Sequence, residues 1–122
     1  MNAGSNNHPP RALRSSGYEP WEVATTHNDL SDTVTRLAAH MADRWTGGSI
    51  GIIAPQRRLA LLRDRLPDAT VVSATEAKGL EWDAALVVDP TGITQEPRGW
   101  NGLYVALTRC TQELGQIHLT NA

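Results

Sequence analysis

Apolar residues recur along this chain in two rhythms that take turns. The stretch "YEPWEVATT" has strand character, and "DLSDTVTRLAAHMADRW" then places Val34, Leu37, Ala38, Met41 and Trp45 at helical spacing before Gly47 and Gly48 end the run. "SIGIIAP" is a short apolar run stopped by Pro55, and "QRRLALLRDRL" keeps Leu59, Leu62 and Leu66 on one side of a second helix. "TVVSA" and "AALVVDP" are continuous β-branched or aliphatic runs, the pattern of strands covered on both faces. "TGITQEPRG" reads as a loop. "WNGLYVALTRC" sets Leu103, Ala106, Leu107 and Cys110 at helical offsets, and "ELGQIHLT" closes as a strand. Strands alternating with helices predict a three-layer α/β domain with a mostly parallel sheet and right-handed crossovers. In such sheets chemistry gathers beyond the carboxyl ends of the strands, which makes the 75 to 83 turn and the 91 to 100 loop the first places to look.

Residues 1 to 17, "MNAGSNNHPPRALRSSG", lack any apolar period and are rich in Asn, Ser, Gly and Pro. They read as a flexible tail or severed linker, with the folded domain over 18 to 122. At 122 residues the chain can bury one core, so a multi-domain mechanism would need parts from elsewhere. The net charge of -2 is not the footprint of a stand-alone nucleic-acid binder, so such affinity should be weak or local. The single cysteine, Cys110, excludes an internal disulfide and a zinc cluster, and fits a reducing cytoplasm. The four histidines, His8, His27, His40 and His118, are scattered, so no metal is expected. No apolar run reaches the roughly 18 residues of a membrane span and no secretory signal opens the chain, so a cytoplasmic protein with no membrane contact is expected.

Familiar phosphate-binding motifs are missing. A P-loop needs Gly-Lys followed by Ser or Thr, and the only lysine, Lys78, stands between Ala77 and Gly79. Gly47, Gly48 and Gly51 do not fit the spacing of a dinucleotide-binding turn, and neither GxSxG nor HExxH occurs. That lone lysine, set in a polar turn between two core strands, calls for an explanation. By its local pattern, "SATEAKGLEWD" is a one-turn helix with Thr75 as N-cap, Gly79 as its stop, and Leu80 and Trp82 in the core. By the same measure, 103 to 109 is a core helix whose Arg109 offsets the negative end of its dipole.

Considered together, the two segments carry more. "SATEAKGLEWD" resembles the pattern T-x-H-x-A-K-G-L-E-F-D and "LYVALTRC" resembles L-Y-V-A-L-T-R-A, which are motifs V and VI of UvrD/Rep-type superfamily 1 ATP-dependent DNA helicases. The resemblance implies that 18 to 122 form the C-terminal, second RecA-like domain of such a motor, P-loop NTPase-like in fold but lacking its own P-loop. The flanking "LRSSGYEPW" and "TRCTQELGQIH" are most similar to the HelD-like branch, whose members act on RNA polymerase.

Position by position, the resemblance makes Arg109 an arginine finger directed at the γ-phosphate, since a planar, always-protonated guanidinium suits charge spread over phosphoryl oxygens. It places Glu81 at the nucleotide sugar, Gly79 where the backbone must approach closely, and Ser73, Thr75 and Lys78 where the motif meets the nucleic-acid strand. It implies ATP with Mg, bound mainly by an N-terminal P-loop RecA-like partner domain, and single-stranded DNA in the full motor. Thr75 replaces the family's histidine, Ser73 a threonine, Trp82 a phenylalanine and Cys110 an alanine. Alone, such a domain should neither hydrolyse ATP nor unwind DNA, and it is expected to be a cloned fragment or a shortened gene product. The rival expectation is a degenerate RecA-like module that docks on RNA polymerase or another protein, for which ten arginines against one lysine would suit a contact surface.

Overall fold

The structure, a computed structural model, describes residues 19–120. The tail expected over 1 to 17 lies outside the described residues. The elements run β1 (Trp21–Thr26), α1 (Leu30–Arg44), β2 (Ile50–Ile53), α2 (Gln56–Arg65), β3 (Thr70–Val72), α3 (Ala74–Ala77), β4 (Trp82–Val88), α4 (Pro90–Thr94), α5 (Gly99–Leu107) and β5 (Cys110–Thr120). The strands form one five-stranded sheet in the order β1-β5-β4-β2-β3, and every pairing in it is parallel.

Strand β4 lies at the centre of the sheet, and its alternating side chains supply both cores. Ala84, Leu86 and Val88 join Leu30, Val34 and Met41 of α1 and Leu59 and Leu62 of α2 on one face. Ala85 and Val87 join Ala74 and Ala77 of α3, Ile93 of α4, and Leu103 and Ala106 of α5 on the other. This is the three-layer arrangement that the unbroken apolar run of 84 to 88 predicts. Strand β3 departs from that expectation. It is an edge strand in which only Val71 is buried, so its β-branched run pairs on one side alone.

The helices end for local reasons. Gly47 follows α1 at φ 83°, and Pro55 sits at the N-cap of α2 in the extended conformation that proline permits there. The loop expected over 91 to 99 is corrected in part, because Pro90–Thr94 form a short helix. Asp89 explains it: at φ 55° its carboxylate accepts from the Gly92 N–H at 3.2 Å and starts the turn, while Arg58 Nε holds the second oxygen at 2.8 Å. Cys110 is buried as predicted, but as the first residue of β5 rather than the last turn of a helix, since α5 stops at Leu107.

One tie between sheet and helix has no counterpart in the sequence pattern. Glu113 on β5 is fully buried, and its two oxygens accept from Arg44 Nε and Nη2 at 3.0 and 2.8 Å, Trp45 Nε1 at 2.8 Å and Trp21 Nε1 at 2.6 Å. It fastens the end of α1 across β1 and β5.

Candidate functional site

The segment 73 to 83 begins at the carboxyl end of β3 and finishes at the amino end of β4. Its first residue is the cap that sequence reasoning assigned to Thr75. Ser73, not Thr75, occupies the N-cap of α3: its hydroxyl accepts from the Glu76 N–H at 3.1 Å, and its own N–H donates to Glu76 Oε1 at 2.9 Å. Serine wins because Glu76 lies three residues on, completing the reciprocal pair, whereas Thr75 has no such partner. The Ser73 N–H, aided by Arg63 whose Nη2 lies 3.1 Å from Oε1, holds the Glu76 carboxyl below the usual carboxylate range against the opposing effect of burial.

Gly79 terminates the turn at φ 87°, with nothing within 4 Å of where a Cβ would stand. Positive φ, rather than crowding, is therefore what requires glycine at this position. Leu80, expected in the core, is 45% exposed, because the left-handed step at Gly79 turns the chain outward before Trp82 packs back in.

The two residues that the resemblance puts at the nucleotide meet at the amino end of the sheet. The Trp82 N–H donates to the Arg109 carbonyl at 2.9 Å, so Glu81 and Arg109 precede the paired ends of β4 and β5. Just beyond, the pairing slips: Trp82 to Ala84 spans one residue fewer than its partner run Cys110 to Glu113, a bulge of the kind found beside functional sites. This part of the 75 to 83 turn thus lies at the amino end of the sheet rather than beyond the carboxyl ends.

Glu81 is exposed. Arg109 is half-buried: Nη2 donates to Thr108 Oγ1 at 3.2 Å, while Nε is buried with no hydrogen-bond partner. A buried guanidinium N–H left unsatisfied costs on the order of 1–3 kcal/mol, so its environment is not tuned for stability. Cys110 next to it is inert, its thiol pushed up to about 11 by burial and then by the charges of Glu113 and Glu81.

The strand-facing candidates separate. Ser73 is 1% exposed with its hydroxyl committed to the cap. Thr75 and Lys78 are exposed and, with Ala74, line a crevice against Arg98, Asn101, Gly102 and Val105 of the α5 region. Sequence reasoning did not single out Arg98 or Asn101, nor Trp100 and Tyr104, which α5 leaves 75% and 63% exposed. The signal was present in the sequence, since both aromatics fall outside the stripe of Leu103, Ala106 and Leu107. Among the described residues no group of three or more His, Cys, Asp or Glu side chains is placed to hold a metal ion, and no helix is long and apolar enough to cross a membrane.

The chain is similar to C-terminal domains of helicases, in sequence over part of its length and in fold. The family model described as the UvrD-like helicase C-terminal domain matches residues 68–115, from just before β3 into β5. The fold is that of the C-terminal domain of a possible DNA helicase from Lactobacillus plantarum WCFS1, with a TM-score of 0.64 and 22% identity over 84% of this chain and 74% of that one. No curated protein matches the chain.

Proposed function

From the match of residues 68–115 to the UvrD-like helicase C-terminal domain, on a helicase-type RecA-like fold, we propose that this chain is the second half of an ATP-dependent helicase motor. Its work is to close over a nucleotide held by a separate P-loop domain. Arg109 donates to the terminal phosphate, Glu81 meets the nucleotide sugar, and Gly79 admits the close backbone approach between them. Thr75 and Lys78 face the nucleic-acid strand, single-stranded DNA in this reading, and Ser73 sets their position through the cap. The observation that carries the reading is the placement of Glu81 and Arg109 side by side at the amino end of the sheet, through the bond from the Trp82 N–H to the Arg109 carbonyl.

The residue types suit the chemistry. Transfer of a phosphoryl group spreads charge over three oxygens, and a guanidinium on a nearly fixed backbone stabilises that charge with little reorganisation. A finger of this kind is worth on the order of a thousandfold or more in turnover, about 4 kcal/mol of barrier. Magnesium held by the P-loop domain would neutralise the β and γ oxygens, a role for which the described residues offer no ligand set.

The test is ATP turnover, with and without single-stranded DNA, by the chain combined with its P-loop domain. Arg109→Ala should lower turnover by about a thousandfold while nucleotide binding persists. Unchanged turnover would sink the assignment and leave a RecA-like domain used for docking on another protein.

A further inference from the structure

The outer face of α5 carries a feature that the nucleotide edge does not use. Gly102, Leu103 and Ala106 bury one side of this helix. Trp100 and Tyr104 lie four residues apart on the other side, the spacing that sets two side chains on one helix face, and both are exposed. One exposed aromatic on a surface needs no explanation, but two adjacent ones leave a sizeable unpartnered ring surface. The next stripe round the helix, Asn101 and Val105 with Arg98 at the N-cap, faces Thr75 and Lys78 across the crevice.

Charge identifies the occupant. The crevice lining holds two cations and no acid, in a chain whose net charge is -2, and no salt bridge among the described residues neutralises Lys78 or Arg98. Size fixes the mode. The crevice measures about 20 Å³, room for one water but not for a base, so a base has to lie on the rings outside it. Flat exposed aromatics beside a cationic, hydroxyl- and amide-lined rim are the components of a site that stacks bases and tracks phosphates.

We propose that Trp100 and Tyr104 form a stacking platform for single-stranded nucleic acid, with Lys78 and Arg98 taking its phosphates and Thr75 and Asn101 lining the path between. The proposal rests on the strand-contact part of the function above, and extends it from the 73 to 83 turn to the face of α5.

Anisotropy of a fluorescein-labelled oligothymidylate, titrated at low salt with the 122-residue chain, tests it. Trp100→Ala should weaken binding about tenfold, and Trp100→Phe should retain most of the affinity, because the ring is what stacks. Lys78→Ala and Arg98→Ala should each reduce the slope of log K against log salt by about 0.7. Circular dichroism and the melting temperature should not change in Trp100→Ala, since that ring is 75% exposed.

Unchanged affinity in Trp100→Ala overturns the platform, and if Lys78→Ala still weakens binding, the strand contact by the turn survives. No binding by the unmodified chain overturns both and leaves the Arg109 assignment to its own turnover test. Trp100→Ala that binds DNA normally but associates poorly with the P-loop domain makes the face a protein contact and overturns the platform.

Discussion

Glu113→Gln removes one charge and no volume, and its cost can be worked from the hydrogen bonds. The two carboxylate oxygens accept four N–H donors: Arg44 Nε and Trp45 Nε1 on Oε1, and Arg44 Nη2 and Trp21 Nε1 on Oε2. A glutamine keeps one accepting oxygen and presents an amide NH2 to the other two donors, so two N–H groups lose their acceptor and a third donor is forced against them. Each buried unsatisfied donor costs about 1–3 kcal/mol. Arg44 keeps 33% of its side chain in water and can be partly rehydrated, which trims the Coulombic part of the loss. The expected destabilisation is about 3 kcal/mol, or roughly 10–15 °C in Tm for a domain of this size. Urea unfolding at neutral pH followed by circular dichroism measures it. A second signature lies in pH. Burial alone would raise the Glu113 pKa, but the bonds from Arg44, Trp45 and Trp21 outweigh it and hold the carboxyl below the usual range. With the folded pKa below the unfolded value of about 4.3, the carboxylate contributes fully above that value and its contribution fades as pH falls through the folded pKa. The gap between unmodified chain and variant should therefore narrow in acid. A difference under about 0.5 kcal/mol at pH 7, or one that does not narrow as pH falls below the unfolded value of about 4.3, would refute the reasoning.

Two further outcomes follow from close packing. Gly51→Ala would place a Cβ 2.3 to 2.6 Å from ring atoms of the buried Trp82, and moving a rigid indole should cost about 1–3 kcal/mol in the same urea titration. Cys110, with its thiol raised to about 11, should resist maleimide at about pH 7 to 8 in the folded chain and label readily in urea, as mass spectrometry would show.

The alternation of strands and helices was legible because periodicity reports burial, and burial is what a three-layer α/β core demands of its sequence. Local pattern misleads only where topology intervenes: "TVV" reads like "LVV", yet β3 lies at the sheet edge and β4 at its centre, and strand order is not written in neighbouring residues. Helix α4 was missed because its initiator is Asp89 in a left-handed conformation, fixed by Arg58 from 31 positions away. The cap at Ser73 could have been read from Glu76 three residues on. The Glu113 cluster could not, since its donors lie 92, 69 and 68 residues distant. Of the candidate site, the turn with Thr75, Lys78, Gly79 and Glu81 is singled out by its motif and Arg109 by its own. What the motif could not tell was that Arg109 carries a buried unpartnered Nε, or that α5 turns two aromatics outward beside the lysine.

Segment 73 to 83 is short and tied at both ends: the reciprocal Ser73 and Glu76 bonds fix its start, Arg63 clamps Glu76 and also donates to the Val71 carbonyl at 3.0 Å, and the Trp82 to Arg109 bond fixes its finish. Ala74 and Ala77 are buried in the same core as Leu103 and Ala106 of α5, so the turn packs directly on that helix. Lys78 in the middle of the segment and Glu81 with Arg109 at its finish therefore lie on one closely tied stretch of chain. A stretch tied in this way cannot relay a signal by changing shape internally; it relays by moving as a whole against its neighbour. In the proposed motor, closing Arg109 onto the nucleotide would necessarily displace Lys78 and the face of α5 relative to the partner domain. Coupling between hydrolysis and the strand in that motor would then follow from how closely this segment is tied within the domain.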